Sequence, residues 1–176
     1  MRRYIRAHQS GGCYFFTVNL AERHNNDLLV RHISELRAAF HKVRDAHPFS
    51  IEAMVVVPDH LHSLWRLPPD DDDYPLRWRL IKANFSRSIA HGERISKSRL
   101  RKGERGIWQR RYWEHTIRDE RDFQNHMDYI HYNPVKHGYV QATKAWPYSS
   151  FHCWVKRGVY PVDWAAAPEI VECLWE

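Results

Sequence analysis

The chain has 176 residues, enough for one domain with a buried core, and its hydrophobic fraction of 43% and aromatic fraction of 14% exclude an intrinsically disordered protein. Its three cysteines, Cys13, Cys153 and Cys173, are widely spaced and form no CxxC pair, which argues against a zinc knuckle and against a disulfide framework. The sequence contains neither an apolar leader nor a run of roughly 18 apolar residues that could span a membrane, so we expect a cytoplasmic protein with no membrane partner.

The first half of the chain alternates strand and helix patterns. Residues 13–20 (CYFFTVNL) are rich in aromatic and β-branched residues and predict a strand. Apolar residues then recur at helical spacing over residues 28–46, which predicts a helix. Residues 49–57 and 60–67 predict the two strands of a hairpin, because Pro58-Asp59 between them favours a turn.

The second half repeats this alternation. The acidic residues 70–73 are expected to form the solvated start of a second helix, whose apolar positions run as far as Phe85. Residues 112–117 predict a fourth strand. A third helix is predicted from the capping residue Asp119 to about Asn133, because the residue before a proline disfavours helical geometry.

The order β-α-β-β-α-β with one further helix is that of the ferredoxin-like split βαβ sandwich, an α+β fold with helices on one face of an antiparallel sheet. We expect residues 1–138 to form one domain. Residues 139–176 are aromatic and interrupted by prolines, and are expected to form a tail packed on the same domain. The fold alone says little about function.

The positive charge is concentrated in residues 87–111, which show no apolar period and predict a loop. This segment carries +7, from nine Lys and Arg against two Glu, whereas the whole chain carries +6, so the remaining residues sum to −1. A solvated basic loop is the ordinary explanation of such a run, but its concentration here favours a polyanionic partner such as nucleic acid. The basic residues are Arg87, Arg94, Lys97, Arg99, Arg101, Lys102, Arg105, Arg110 and Arg111.

Two histidines lie on the second strand of the predicted hairpin. Side chains alternate across a strand, so His60 and His62 share one face while Leu61 points to the other, with Trp65 and Leu67. Because these apolar residues mark a core face, the histidines are expected on the opposite, more open face, close enough to bind one metal ion. Polar residues on a solvated face are the alternative explanation.

The third helix carries a tyrosine outside its predicted apolar stripe. Tyr129 and Asn133 are i, i+4 neighbours on a polar side that also carries His126 and Asp122. A tyrosine at the edge of the core, or an asparagine that merely stops the helix, would give the same pattern. The apolar stripe, expected to pack on the sheet, contains Phe123, Met127, Ile130 and Pro134.

Together these residues suit phosphodiester chemistry, which needs a nucleophile, a Lewis acid and groups that hold a polyanion. Tyr129 supplies an oxygen, although a tyrosine pKa of about 10 leaves little phenolate at neutral pH. His126, one turn earlier, is a candidate for accepting its proton. Two imidazoles and the Asn133 amide suit Mg²⁺ or Mn²⁺, which take further ligands from water and phosphate. No glycine-rich motif indicates a nucleotide cofactor.

The sequence resembles the HUH transposases with a single catalytic tyrosine, and among them the REP-associated tyrosine transposases. The two motifs that carry the resemblance are PDHLHSLW (58–65) and DYIHYNPVKHG (128–138). The resemblance extends over nearly the whole chain, from GGCYFFTVNL near the N-terminus, through IWQRRYWEHTIRD, to the aromatic tail, and this long joint pattern is more specific than the two histidines alone.

The resemblance implies that His60 and His62 bind a divalent ion and that Tyr129 forms a 5′-phosphotyrosine during single-stranded DNA cleavage and strand transfer. It places Asn133 where the insertion-sequence relatives often carry Gln as the third ligand. It further implies a substrate of short imperfect palindromes that fold as hairpins beside a specific tetranucleotide. The basic segment 87–111 then becomes a candidate DNA-binding surface, together with Arg2, Arg3 and Arg6.

Two other functions fit the same motifs. One is a non-catalytic module, derived from such an enzyme, that only holds hairpin DNA; the presence of all four site residues argues against it. The other is an RNA-binding or phosphoesterase domain that uses the two histidines without a covalent tyrosine. The tail resembles that of the REP-associated members, which implies a monomer and leaves the dimer of the insertion-sequence enzymes as the alternative.

Overall fold

The computed structural model describes residues 8–165 and is built on one four-stranded antiparallel sheet. The strands pair in the order β2-β3-β1-β4, so β3 separates the two strands of the first βαβ unit, as the split βαβ sandwich requires. The predicted fold is therefore confirmed. The strands are β1 (Cys13–Asn19), β2 (Ser50–Val57), β3 (His60–Arg66) and β4 (Trp113–Thr116).

Six helices accompany the sheet within the described range. The helix predicted over residues 28–46 is interrupted at His32, whose backbone leaves the helical region, and so forms two helices. None of the helices is long and apolar enough to cross a membrane, as far as the described residues go. The helices are α1 (Leu28–Arg31), α2 (Ile33–Ala46), α3 (Tyr74–Ser88), α4 (Lys97–Leu100), α5 (Glu120–Lys136) and α6 (Phe151–Lys156).

One face of the sheet packs against α2 and α3. Leu61, Trp65 and Leu67 lie in this core, as the alternation along β3 predicts. The Trp65 ring stacks on Trp78 of α3 with the ring centroids 4.3 Å apart, and the same cluster contains Phe40 of α2. Burial of large rings on this scale is the main stabilising contribution to such a layer.

The opposite face is covered by α5 and by the aromatic tail. Met127 and Ile130 of the predicted apolar stripe pack there against Phe15, Val55 and Leu64 of the sheet. The expectation that the histidines lie on an open face was therefore wrong, since His60 and His62 are only 3% and 4% exposed. The physical reason is that the sheet is apolar on both faces, and the second face also needs a cover.

The tail covers the exposed edge of β2. The Trp146 indole donates a hydrogen bond to the Val56 carbonyl (2.9 Å), and the Val56 amide donates to the Tyr148 carbonyl (2.9 Å). Further along, the Trp154 indole donates to the Glu52 carbonyl (2.8 Å). An edge strand with satisfied backbone groups cannot pair with a second sheet.

Two local predictions need correction. The acidic stretch is not simply solvated: both Asp71 oxygens accept hydrogen bonds from the buried Arg77 guanidinium, at 3.0 and 2.6 Å. Helix α5 also does not end at Asn133 but continues through Pro134 to Lys136. A proline removes only one backbone donor, and the buried position of Pro134 offsets that loss.

Candidate active site under helix α5

A cavity of about 400 Å³ opens between the sheet and α5, next to the predicted site residues. His60, His62, Tyr129 and His126 all reach its wall, so four of the five predicted catalytic and accessory residues meet there. The remaining wall comes from β1, from the first residue of β4 and from residues that follow β1 and α5. These residues are Phe15, Thr17, Asn19, Arg23, Trp113 and His137.

The His60 ring is held by a carboxylate next to it in sequence. Its Nδ1–H donates to Asp59 at 2.7 Å, and Asp59 also accepts a 2.6 Å hydrogen bond from Arg23. Burial alone would raise the pKa of Asp59, but the hydrogen bonds and charges of His60 and Arg23 lower it to about 2. The carboxylate is therefore ionised at neutral pH, and the lone pair of His60 lies on Nε2.

The His62 ring lies beside it, with the two ring centroids 5.0 Å apart. Its Nδ1 is 2.9 Å from the Thr17 hydroxyl, its direct cross-strand neighbour, while its Nε2 is buried and has no hydrogen-bond partner among the described residues. Burial, followed by the charge of His60, lowers the pKa of His62 well below its ordinary value. The imidazole is therefore neutral and can present Nε2 to a cation.

Tyr129 faces this pair from α5. Its ring meets the His62 ring edge-on at a centroid distance of 5.1 Å and contacts Phe15 at 5.9 Å. Burial raises the pKa of the Tyr129 phenol, and the neighbouring Asn133 amide partly offsets that rise. The phenol therefore stays protonated at neutral pH and needs assistance to act as a nucleophile.

Asn133 lies deeper than expected. It is fully buried, it is not part of the cavity wall, and neither amide atom makes a well-formed hydrogen bond within residues 8–165. A buried amide whose hydrogen bonds are incomplete is costly and uncommon in folded proteins. Its position beneath Tyr129 is compatible with holding the phenol or with turning toward a bound ion.

Two cationic or titratable side chains of the α5 end were not predicted as site residues. Lys136 places its Nζ 4.9 Å from the Tyr129 ring centroid, and burial lowers its pKa to about 8. The His137 ring lies 5.1 Å from the His60 ring and lines the cavity. Both residues follow Pro134, where the sequence predicted the end of the helix. Their helical spacing from Tyr129 therefore could not be used to predict them as site residues.

A second polar cluster lies at the other end of α5. The His115 Nε2–H donates to Asp122 at 2.8 Å, and Nδ1–H of His126 donates to the Asp122 carbonyl at 2.7 Å. Donor atoms of the three side chains lie within 4.8 Å of one another, so this cluster also has the composition of a metal site. Asp122 is already engaged, however, because Arg118 also donates to its carboxylate.

The predicted basic segment divides into structural and exposed residues. Arg105 pairs with Glu93 at 2.6 Å and donates to the Ser86 and Ile89 carbonyls, which contradicts the expectation of a plain loop. Arg110 pairs with Glu104, and Arg99 donates to the Trp108 carbonyl. These three arginines hold the segment together. Arg110 is nevertheless exposed, as are Arg87, Arg94, Lys97, Arg101, Lys102 and Arg111. The predicted contacts Arg2, Arg3 and Arg6, like Cys173, lie outside the described residues.

The aromatic residues near β4 also differ in their exposure to solvent. Trp108 and Tyr112 are core residues, at 7% and 9% exposure, and pack against α3. Trp113 is 51% exposed and borders the cavity. Side chains alternate along an extended chain, so the neighbours Tyr112 and Trp113 point to opposite sides, and of these three rings only Trp113 is placed to stack on an unpaired base.

The residues of this site lie within a region that matches a known protein family. A family model described as "Transposase IS200 like" matches residues 12–133, about two thirds of the chain, including His60, His62 and Tyr129. The chain belongs to the IS200-like transposase family. The resemblance deduced from the two sequence motifs is thereby confirmed, and the protein is a transposase.

Relatives of this transposase include the REP-associated tyrosine transposase of Escherichia coli K12, 46% identical over 165 residues, which cover 94% of this chain and 92% of the relative. A relative in Haemophilus influenzae Rd is 46% identical over 171 residues, 97% of either chain. A solved structure of a REP-associated tyrosine transposase bound to a REP hairpin matches with a TM-score of 0.83 and 44% identity, covering 95% of this chain and 93% of that one.

Proposed function

We propose that this transposase cleaves and rejoins single-stranded DNA next to a hairpin, with Tyr129 as the nucleophile. The observation that carries the proposal is the edge-on contact of the Tyr129 ring with His62, in the same cavity as His60. The 44% identical structure bound to a REP hairpin supports hairpin DNA as the substrate class. The exposed basic residues supply a surface for phosphates.

The donor set fits a divalent metal ion. His62 has a buried Nε2 without a partner, and the hydrogen bond of His60 to Asp59 leaves its Nε2 lone pair available. We assign His60 and His62 as ligands and keep Asn133, with its unsatisfied amide, as the third. Mg²⁺ or Mn²⁺ suits such a site, because both accept water and phosphate oxygens. When bound, the ion polarises the scissile phosphate and stabilises the leaving oxygen.

The reaction balances without a further cofactor. The Tyr129 oxygen forms a bond to phosphorus as the bond from phosphorus to the 3′ oxygen breaks, which leaves a 5′-phosphotyrosine and a 3′ oxygen that takes a proton from water to give a free 3′ hydroxyl. Attack by a 3′ hydroxyl reverses the step and joins strands, because phenolate is a good leaving group. His126 is the candidate acceptor of the phenol proton. Its Nδ1–H is held by Asp122, and burial lowers its pKa, so its Nε2 is a neutral acceptor.

A covalent adduct is the direct test. A hairpin oligonucleotide with a 5′ single-stranded flank is incubated with protein and Mn²⁺, and a denaturing gel detects a protein–DNA species. The wild type is expected to form it, and Tyr129→Phe to form none while still binding the hairpin. Tyr132→Phe on the same helix is the matched control. A wild-type protein that binds hairpins but never forms the adduct would instead be a non-catalytic binding module.

The same assay tests the metal site. His60→Ala and His62→Ala are expected to abolish the adduct and to lose Mn²⁺ binding in calorimetry, and EDTA should mimic both. His115→Ala, in the second polar cluster, is the control and should keep Mn²⁺ binding. Loss of Mn²⁺ binding in His115→Ala alone would place the ion at the wrong end of α5 for this proposal.

A further inference from the structure

Lys136 reaches Tyr129 from two helical turns further along α5. Tyr129, Asn133 and Lys136 follow the i, i+4, i+7 spacing of one helix face. A side chain on a helix leans toward the N-terminus, so the long lysine extends back over the preceding turns. Its Nζ lies 4.9 Å from the Tyr129 ring centroid.

The ammonium group lies where its charge acts strongly. Its Nζ is shielded from solvent and lies over the ring of Tyr129, which lines the cavity. Arg23 is a cation that lines the cavity, and its side chain is paired with Asp59 at 2.6 Å. An attraction between a cation and a phosphate is several times stronger in such a partly desolvated site than in water.

We propose that the Lys136 ammonium binds the scissile phosphate beside Tyr129 and stabilises its negative charge during formation and reversal of the phosphotyrosine. In the phosphotyrosine, the phosphorus bonded to the phenol oxygen carries further oxygens. An ammonium nitrogen roughly 5 Å from the phenol oxygen can reach one of these, because N–H···O contacts are about 2.8 Å long. Lys136 forms no covalent bond and keeps its protons. This inference rests on the function proposed above.

A structural role for Lys136 is the competing explanation. A lysine over an aromatic ring stabilises that ring's position, and a cation in the last turn of a helix interacts favourably with the helix dipole. Both roles would be independent of the charge on the DNA. The experiment therefore varies that charge and the lysine together.

The test is a binding cycle that needs no cleavage. The protein is the Tyr129→Phe variant, which keeps the ring. A series of hairpin oligonucleotides is prepared in which one linkage at a time, among those flanking the hairpin base, carries an uncharged methylphosphonate in place of the phosphate. At one linkage the methylphosphonate should weaken binding to Tyr129→Phe about tenfold. At the same linkage it should weaken binding to the double variant Tyr129→Phe/Lys136→Met less than about twofold. Equal losses at every linkage in both backgrounds would overturn the proposal.

Catalysis by the Tyr129-containing protein gives the second readout. At saturating DNA, K136M should form the covalent adduct at least about tenfold more slowly, and K136R should recover most of the rate. Melting temperature and Mn²⁺ affinity should match the wild type, as they should in the control K144M, which changes an exposed lysine of the short 3₁₀ helix Thr143–Ala145. A K136M protein that loses Mn²⁺ affinity would show that Lys136 supports the metal instead. Absence of the adduct in the wild type would count against the proposed function alone, since the binding cycle is independent of it.

Discussion

The Nδ1 atom of His60 lies 2.7 Å from Asp59, and the other carboxylate oxygen of Asp59 accepts a 2.6 Å hydrogen bond from Arg23. This arrangement fixes the imidazole tautomer, because a carboxylate can only accept. It leaves Nε2 as the single free lone pair of the ring. In metal sites such an outer carboxylate orients the ligand and raises its basicity.

The first prediction concerns this carboxylate. Asp59→Asn keeps the shape of the side chain but removes its charge, so Mn²⁺ affinity should fall by about 10- to 100-fold. Calorimetric titration with Mn²⁺ measures the change. Asp27→Asn, which removes an exposed carboxylate paired with Arg31, is the matched control. An unchanged affinity in Asp59→Asn, alongside complete loss in His60→Ala, would show that Asp59 does not support the ligand.

The second prediction concerns the ion pair of Asp71 with the buried Arg77. The hydrogen bond from Arg77 lowers the pKa of Asp71 in the folded protein, so this pair stabilises the fold above the unfolded pKa of about 4 and is lost as the pH falls through the folded value. Asp71→Asn should therefore cost roughly 2 kcal/mol at pH 7, because it leaves a buried guanidinium short of its charge partner.

Denaturant unfolding at pH 7 and near pH 3 measures this effect. The difference between wild type and Asp71→Asn should shrink at the lower pH, where the wild-type carboxylate begins to protonate. Asp70→Asn, one residue earlier and exposed, should match the wild type at both values. An equal cost for Asp71→Asn at both pH values would mean that the charge of Asp71 is unimportant.

Local patterns were sufficient for most of the fold. The alternation of Leu61 and Trp65 identified the core face of β3, and Asp119 identified the start of α5, where its side chain accepts from the Asp122 amide at 2.8 Å. Both signals depend on neighbours within a few residues. Whether the opposite sheet face is covered depends instead on a later helix and tail, so the burial of His60 was missed.

The same limit applies to the site. His60, His62 and Tyr129 were found because period-2 and period-3.6 spacing place side chains on a face. Thr17 supports His62 across 45 positions of sequence, and its role follows only from the register of β1 against β3. Arg105 looked like a DNA contact because its charge is visible in sequence, while its partner Glu93 and the carbonyls around it are brought together only by folding.

The third prediction concerns Trp113, the exposed ring on the cavity wall. Trp113→Ala should weaken binding of a hairpin with an unpaired flank by about 1–3 kcal/mol, the usual contribution of one stacked base. Binding of a blunt hairpin should change much less. Trp108→Ala, in the core, should instead lower the melting temperature. Fluorescence anisotropy with both oligonucleotides separates the cases, and an equal loss for the two hairpins would argue against stacking.

The last prediction divides the basic segment. Arg94, Arg101 and Lys102 are exposed, so their joint replacement by alanine should weaken binding to hairpin and random sequences alike. If each residue contacts one phosphate, the slope of log affinity against log salt should flatten by up to about three contacts. Arg99 is left unchanged, because its hydrogen bond to the Trp108 carbonyl makes its removal a structural change.

Arg105→Ala is the contrasting variant. It removes the ion pair with Glu93 and leaves the Ser86 and Ile89 carbonyls without their donor, so it should lower the melting temperature and disturb the whole segment. Anisotropy over a salt series, with a hairpin, its unfolded permutation and a matched duplex, measures the slopes. The triple variant should remain folded with a flatter slope for every ligand. A wild-type slope in the triple variant would show that DNA binds elsewhere on the molecule, whereas a duplex bound as tightly as the hairpin would show that the surface does not select unpaired DNA.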